Sequence, residues 1–479
     1  MSKQHGGSPR AVVLGGGFAG TLAAAALAPH VQEVVILERD EALPDTPAPR
    51  ARLPQGAHTH MLWSGGADAV ENLLPGTTGT WLKAGAHRIP IPNGMVSYSP
   101  AGWYRRWTET HYVIGASRDL IDWGIRLGVL ALPNVRVRTG VKIVGLVGDR
   151  SRVTGVQVLD AARRTEVMDA DLVVDATGRD SKAPQWLEEI GGPAVRETVV
   201  DAGVLYASRR YGAPEGTKTD WPIVHIQADP RSGKPGQVAT IVPIEDGQWS
   251  VSLSSTQGGH PSADANLYEA FARGVRHPLA ADFLARAEPI GDVVVYGRTA
   301  NRRRRFETAR MPAGFVVLGD AATSLNPVYA HGMSAAAIGA TALREVARTC
   351  AVDAPRFAAK AQKAIARPAT AAWLLAVGQD RFYPGAIGKP PTFADRLAAR
   401  YVHRLNQTAI GDFGVVQALT DVMTMQKPAS VLAAPGVLIS AARGLRKPLL
   451  VSPPLTPREQ HVLDRDPLRT EEPTGSSHQ

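Results

Sequence analysis

AVVLGGGFAGTLAAAALAPHVQEVVILE, residues Ala11 to Glu38, is the stretch around which the chain is organised. Ala11-Val12-Val13-Leu14 has the length and β-branched content of a buried strand. It runs straight into Gly15-Gly16-Gly17-Phe18-Ala19-Gly20, which opens an alanine-rich run to Ala28 that predicts a helix. A second strand follows from Glu33 to Leu37 and ends in Glu38, eighteen residues beyond Gly20. Each part has a physical task in dinucleotide binding. Gly15 makes the tight turn, Gly17 lets a pyrophosphate approach the backbone, and Gly20 lets the helix pack on the sheet. Glu38 accepts hydrogen bonds from a ribose diol and repels a 2′-phosphate. A lone glycine pattern reads equally well as an ordinary turn. Strand, helix and acid in register make it a nucleotide signature.

The same reading extends to FVVLGDAATSLNPVYAHGMSAAAIGA, residues Phe315 to Ala340. Phe315–Leu318 is a short buried strand that ends abruptly in Gly319-Asp320. Asn326-Pro327 turns the chain, and a helix of small residues starts near Gly332. A carboxylate at a strand tip followed by a helix N-terminus can meet one ligand at two points, a hydroxyl and an electron-rich group; taken alone, a βα unit whose Asp320 merely caps a turn reads equally well. Asp175-Ala176-Thr177-Gly178-Arg179 closes another strand, at the level of the adenosine half of a dinucleotide. Arg118 stands at a helix start, the end that disfavours cations, and a pyrophosphate lying there would account for it.

The 479 residues are enough for two or three domains. Lys and Arg number 53 against 44 Asp and Glu, a net charge of +9 spread along the chain. No basic helix with interleaved aromatics accompanies it, so nucleic acid is not the expected partner. Arg302–Arg305 is the one dense basic run and reads as edge-strand protection. The single cysteine, Cys350, reads as buried filler. With no long apolar segment and no signal-peptide pattern at MSKQHGGSPR, the expectation is a cytoplasmic protein without stable membrane insertion. His58 and His60 are two apart with no third ligand in sight, a poor zinc site, and suit polar contacts near a cofactor better. No metal site is expected.

Pattern along the chain predicts an α/β protein in which a Rossmann-like FAD-binding domain carries an inserted mixed β-sheet substrate domain and a C-terminal helical region. The nucleotide domain takes residues 1–83, 115–198 and 301–345. Strands at 84–114 and 199–300 form the substrate domain, and 346–479 is helical with a loose polar tail after Val451. A helix is expected from about His60 to Leu74, and another from Arg118 to Leu127. The two alternating regions are expected to wall an apolar chamber with Tyr98, Trp103, Trp107, Tyr206, Trp249 and Tyr329. A nicotinamide dehydrogenase would account for the first motif alone. The second strand tip, Arg118 and the inserted sheet together fit a ligand stretched along the fold, as FAD is.

The Gly15–Gly20 turn, Asp175-Ala176-Thr177-Gly178 and Gly319-Asp320 with Pro327 resemble the three fingerprints of single-component flavoprotein monooxygenases of the para-hydroxybenzoate hydroxylase type. PQGAHTHMLWSGGADAVENLLPGTT, VVDAGVLYASR, PIEDGQW, GVRHPL, TANRR and LGDAATSLNPVYAHGMSAAA are similar to stretches of the polyether ionophore epoxidases of the lasalocid and monensin type. The likeness spans roughly residues 10–345. It implies FAD held by Gly15, Gly17, Phe18, Ala19, Gly20, Glu38, Arg39, Gln55, His58, Arg118, Val141, Thr177, Gly178, Gly319, Asp320, Pro327, Gly332 and Met333. Ala330 departs from the family's N-P-x-Y-G-H-G-M; if that position is left-handed, alanine costs about 1 kcal/mol there. The halogenase signature W-x-W-x-I-P is absent.

The resemblance also implies chemistry. NADPH or NADH transiently reduces FAD, dioxygen gives a flavin C4a-hydroperoxide, and an alkene of a polyene polyketide, free or carrier-bound, attacks its distal oxygen to become an epoxide. No protein group is then catalytic, and the flavin does the chemistry. Hydroxylating a phenol benefits from a base, and none is evident in the expected walls. An aromatic polyketide hydroxylase and a flavin-dependent reductase or dehydrogenase stay open as alternatives.

Overall fold

Alternation of side chains explains why the first strands are apolar throughout. In the computed structural model, which describes residues 9–218 and 220–466, Arg10–Leu14 is the central strand of a five-stranded parallel sheet. The order is Phe315–Val317, Leu172–Asp175, Arg10–Leu14, Glu33–Leu37, Val135–Arg138. Ala11, Val13, Val34, Ile36 and Val174 face one core, against the helices Phe18–Leu27 and Gly332–Thr349. Val12, Leu14, Val35, Leu37 and Val173 face the other, under an antiparallel meander of Lys142–Gly148, Val153–Leu159 and Thr165–Asp169. A parallel sheet covered on both faces cannot alternate polar with apolar.

The second body is a seven-stranded sheet ordered Glu288–Tyr296, Leu205–Gly212, Gln248–Ser255, Val238–Ile244, Ile223–Ile226, Met95–Ser99, Gly102–Trp103. Its outer face buries Tyr211, Trp249, Val251, Leu253, Ile241 and Val224 beneath the helices Ala265–Gly274 and Leu279–Leu284. Residues 84–114 are divided between two sheets. Met95–Ser99 and Gly102–Trp103 join the large sheet, whereas His87–Ile91 and His111–Gly115 pair with Met61–Trp63.

Four local expectations change. The helix expected from His60 begins only at Ser64, because Met61–Trp63 pairs with His111–Gly115 as a strand. The helix from Arg118 continues to Leu130. Asn301–Arg304 is the middle strand of a three-stranded sheet between Glu197–Val200 and Thr323–Ser324, so its arginines protect no edge. Arg304 is buried against Glu197 at 3.0 Å and Arg303 against Glu307 at 2.8 Å; paired burial lets charge sit in a sheet centre. Finally, Pro457–Leu463 is a helix with a Thr456–Glu459 capping box, docked on the large sheet through Val462. The rest of the expected loose tail, residues 467–479, lies outside the described residues. No helix among the described residues is long and apolar enough to cross a membrane.

Candidate functional site

The glycine turn is built as its spacing demands. Gly15 has φ +96° and sits so close to the Leu172–Asp175 strand end that a Cβ would lie 2.8 Å from the Ala176 carbonyl. Gly20 packs against Gly15, where a Cβ would come within 1.8 Å of its carbonyl oxygen. At Gly17 a Cβ would meet nothing within 4 Å, so the backbone there is open to a ligand. Phe18 starts the helix and Ala19 is its partly exposed second residue.

Glu38 is buried at the tip of Glu33–Leu37 and accepts the N–H groups of Gly16 at 2.8 Å and Asp40 at 3.1 Å. Arg50 approaches both Glu38 and Asp40 to 2.7 Å. Burial opposes ionisation, but the Arg50 guanidinium and the two N–H groups outweigh it and hold the Glu38 carboxyl below the usual range. Arg50 comes from the Pro- and Arg-rich loop after Glu41, where composition alone marks no particular arginine. Arg39 is exposed and donates to the Arg52 carbonyl at 3.2 Å. The Val141 N–H donates to the Glu38 carbonyl at 2.9 Å while its side chain enters the core.

The second strand tip converges on the same place. Asp175 is buried and shapes its turn by accepting from the Thr177 N–H at 2.9 Å and hydroxyl at 2.6 Å. Gly178 has φ +81° with open space beside it. Asp320 is solvent-exposed although protein surrounds it, which places its carboxylate on the wall of an open cleft. It accepts no hydrogen bond from the described residues. Burial raises its pKa, and Arg179 and Arg118 pull it back down. Arg118 has a partner in the chain, Asp122 one turn on at 2.8 Å, and its guanidinium stands 5.6 Å from the centre of the Phe18 ring. Arg179, which follows Gly178 directly and was not singled out in sequence, donates to the Ala300 carbonyl at 2.7 Å.

Gly319 has φ +67° and Pro327 opens the turn Pro327–Tyr329. That turn ends at Ala330 with φ +53°, so the residue standing where the family has glycine is left-handed. Gly332 begins the helix Gly332–Thr349 beside Asp320, with Met333 against the core. His331 at its start donates its Nε2–H to the Met423 carbonyl at 2.9 Å, and its Nδ1 is buried without a partner. Gln55 lies on the short turn Pro54–Ala57. His58 Nδ1 is 2.8 Å from the Ser208 hydroxyl and its Nε2 is buried and unpartnered. Burial lowers His58 to about 4. His60 turns back onto the His58 carbonyl at 2.8 Å, and burial with the nearby Arg118 charge lowers it to about 3.

Of the six expected wall residues, only Tyr206 and Tyr329 gather near this cleft. Trp249 faces away, stacked on Trp221 at 5.4 Å in the outer core. Tyr98 and Trp103 pair at 4.7 Å on that same outer side. Trp107 packs on Phe413, 5.8 Å away, among the C-terminal helices. Strand alternation is the reason: Trp249 pairs with Tyr211, whereas Tyr206 pairs with Ser254 on the opposite face. The inward face is a hydroxyl lattice of Ser97, Ser208, Thr240, Ser250, Ser252 and Ser254. Thr59 from the loop before Met61 binds Ser250 and Ser252 hydroxyls at 2.9 Å. Val238, Val242 and Ile244 share that face, so hydroxyls and apolar side chains mix where an apolar wall was expected.

Sequence reading also missed a buried carboxylate. Asp380, at the end of the helix Phe357–Asp380, accepts from the Tyr329 hydroxyl and the Asn301 amide at 2.6 Å and from the Asn326 amide at 2.9 Å. The Tyr206 hydroxyl donates to Asn326 Oδ1 at 3.0 Å. No motif marks Asp380, 51 residues from Tyr329.

The pieces brought together are an open backbone at Gly17 and Gly178, a buried carboxylate at the strand tip of Glu38, and an unpaired carboxylate at Asp320 under the charge of Arg118 and Arg179. The fold is that of the flavin-dependent monooxygenases. A triple mutant of the flavin-dependent brominase Bmp2 superposes with a TM-score of 0.63 at 15% identity, covering 90% of this chain and 99% of that one. The flavoprotein/dehydrogenase from Cytophaga hutchinsonii gives 0.61 at 13% identity, covering 90% and 96%. The p-nitrophenol 4-monooxygenase PnpA of Pseudomonas putida gives 0.57 at 16%, covering 91% and 98%. No family model matches the sequence. Protein Rv3254 of Mycobacterium tuberculosis is 33% identical over 396 residues, which take in 79% of this chain and 82% of that protein. The chain belongs to the family of that protein.

Proposed function

We propose that this protein is an FAD-dependent monooxygenase that uses NADPH or NADH and dioxygen. The observation that carries the reading is Asp320, accessible and unpaired at a strand tip, with Arg118 and Arg179 beside it and the Gly332 helix start adjoining. Bound FAD, reduced by the nicotinamide, supplies the electrons that send one dioxygen atom to the substrate and the other to water. The chain's own tasks are binding and exclusion. Glu38 holds the adenosine ribose, Gly17 admits the pyrophosphate, and Arg118 and Arg179 balance its charge. Asp320 accepts from a hydroxyl of the flavin's sugar-alcohol chain, and the N-terminus of the Gly332 helix favours electron density placed against it. On this reading the large sheet would shield bound FAD from bulk water.

The substrate we propose is a polyketide-like molecule, a polyene chain undergoing epoxidation, free or held on a carrier protein. The stretches shared with polyether epoxidases support that reading. Hydroxylation of an aromatic polyketide is the second reading, and one observation favours it: half-buried Tyr329, hydrogen-bonded to buried Asp380, stands where sequence offered no base. PnpA, a p-nitrophenol 4-monooxygenase, is consistent with oxygen chemistry on this fold. The test is mass spectrometry after incubating FAD-loaded protein with NADPH, oxygen-18 gas and, in separate reactions, a polyene acid and a phenolic polyketide. Label in an epoxide supports the first reading and label in a ring hydroxyl the second. NADPH oxidised with no label in either product defeats both.

A further inference from the structure

The C-terminal helical layer carries an exposed apolar face that cofactor binding does not use. The helix Pro435–Arg443 and the chain after it expose Leu438, Ile439, Leu445 and Leu449 to about half, and Val451 to 99%. Single exposed apolar residues are ordinary, but a run of them along one segment marks an interaction surface. The segment is pinned to the body. Arg105 donates to the Pro448 carbonyl at 2.6 Å, the Lys447 ammonium lies 4.5 Å from the centre of the Trp107 ring, and Arg404 donates to the Ala441 carbonyl at 2.7 Å. A depression of about 520 Å³ opens beside the helix, lined by Val437, Ile439, Ser440, Arg443 and Arg446. Asp412 also lines it and holds Arg446 at 3.0 Å. No acidic residue stands between Asp421 and Glu459, whereas Lys427, Arg443, Arg446 and Lys447 all do. Asp421 holds Lys427 at 3.0 Å, which leaves exposed Arg443 and Lys447 as the outward charges of the face.

We propose that this face docks the protein reversibly on an anionic phospholipid membrane. Its apolar side chains enter the acyl boundary, and Arg443 and Lys447 meet lipid phosphates around the depression. Charge and chemistry favour lipid over the other occupants. A second copy on a two-fold axis would bring the same cations against each other. A nucleic acid would leave Leu449 and Val451 without a partner, because neither stacks on a base nor binds a phosphate. The docking is reversible because nothing in the face spans: a helix of nine residues is far shorter than the about 20 that a crossing needs. One element joins the face to the candidate site. Asp412 caps the helix Phe413–Met423, and the Met423 carbonyl at its far end accepts from His331. Its eleven residues span about 16 Å. Docking therefore brings the site near the phase in which an apolar substrate dissolves. The docking itself does not depend on the monooxygenase reading.

The test is co-sedimentation of the purified full chain, with FAD added, on vesicles of phosphatidylcholine containing phosphatidylglycerol and on vesicles of phosphatidylcholine alone. The expected result is binding to the anionic vesicles at low salt, weakened by raised salt, and weaker binding to the neutral ones. Arg443→Gln combined with Lys447→Gln weakens binding to the anionic vesicles roughly 25-fold. Leu449→Ser combined with Val451→Ser weakens binding to both kinds roughly 10-fold or more. Melting temperatures beside the wild type check that each variant is folded. If a double variant melts early, Val451→Ser alone, at a side chain 99% exposed, carries the test. Equal binding to the two kinds of vesicle, or unchanged binding by a folded variant, overturns the proposal. So does a wild type that stays in solution with both. A concentration-dependent dimer broken by Leu449→Ser with Val451→Ser, in a chain that ignores vesicles, would make the face a contact between copies instead.

Discussion

Replacing Asp320 by alanine separates a ligand-binding carboxylate from a structural one. Asp320 accepts no hydrogen bond from the described residues, while protein surrounds it and raises its pKa. Its removal therefore orphans no donor within the fold. What it removes is an acceptor for an FAD hydroxyl, a hydrogen bond to a charged group and so about 1.5–3 kcal/mol. That corresponds to an FAD dissociation constant raised roughly 10- to 150-fold. Arg118 and Arg179 lose a counter-charge together, but Arg118 keeps Asp122 at 2.8 Å and Arg179 keeps the Ala300 carbonyl at 2.7 Å, so neither is stranded. The assay has two arms: titration of deflavinated protein with FAD followed by flavin fluorescence, and thermal melting of the same protein without FAD. The expected pair is weaker FAD with an unchanged or slightly higher melting temperature. Unchanged FAD affinity refutes the assignment. A lower melting temperature without FAD refutes the claim that Asp320 is idle in the fold.

Glu38→Ala should show the opposite balance, because it strands the Gly16 and Asp40 N–H groups and leaves Arg50 with Asp40 and the Gly16 carbonyl. A loss of about 2–3 kcal/mol in denaturant unfolding is expected together with weaker FAD and a nearly unchanged apparent NADPH constant; weaker NADPH with FAD intact would reverse its assignment. Trp249→Ala should lower the denaturant midpoint by the equivalent of about 3–5 kcal/mol through lost packing on Trp221 and Phe283, with the substrate KM unaltered. A raised KM at full stability would return Trp249 to the chamber. Burial lowers His58, His225 and His331 to about 4, with His60 depressed as well. Groups depressed on folding stabilise fully above the unfolded value of 6.5 and lose that contribution as pH falls toward 4. Unfolding midpoints should thus decline steadily below about pH 6.5, and a flat profile down to about pH 4 would contradict neutral burial of these rings.

The parallel sheet and its glycine turn were legible in the sequence because their signals are local. Val12 and Val13 are both buried wherever a strand is covered on both faces, and Gly15 needs its φ of +96° whatever surrounds it. The strand-tip positions of Glu38 and Asp320 were legible for the same reason, each standing at the end of a short apolar run. The large sheet shows the limit. Its strands were visible as alternation, but Trp249–Ser255 alternates tryptophan, valine and leucine with serine, and the pattern defines two faces without saying which turns toward the cleft. Packing of Ala265–Gly274 and Leu279–Leu284 on the apolar face decided it, and so turned the hydroxyls inward. Arg302–Arg305 looked like an edge because charge is the local mark of one. Glu197, Glu307 and the Ala321 carbonyl, distant or on another element, make the middle of a sheet tolerable for those arginines. Arg50 over Glu38, and Asp380 among Asn301, Asn326 and Tyr329, belong to the same class. A buried charge is stable only beside partners, and those partners come from segments that meet only after the chain has folded.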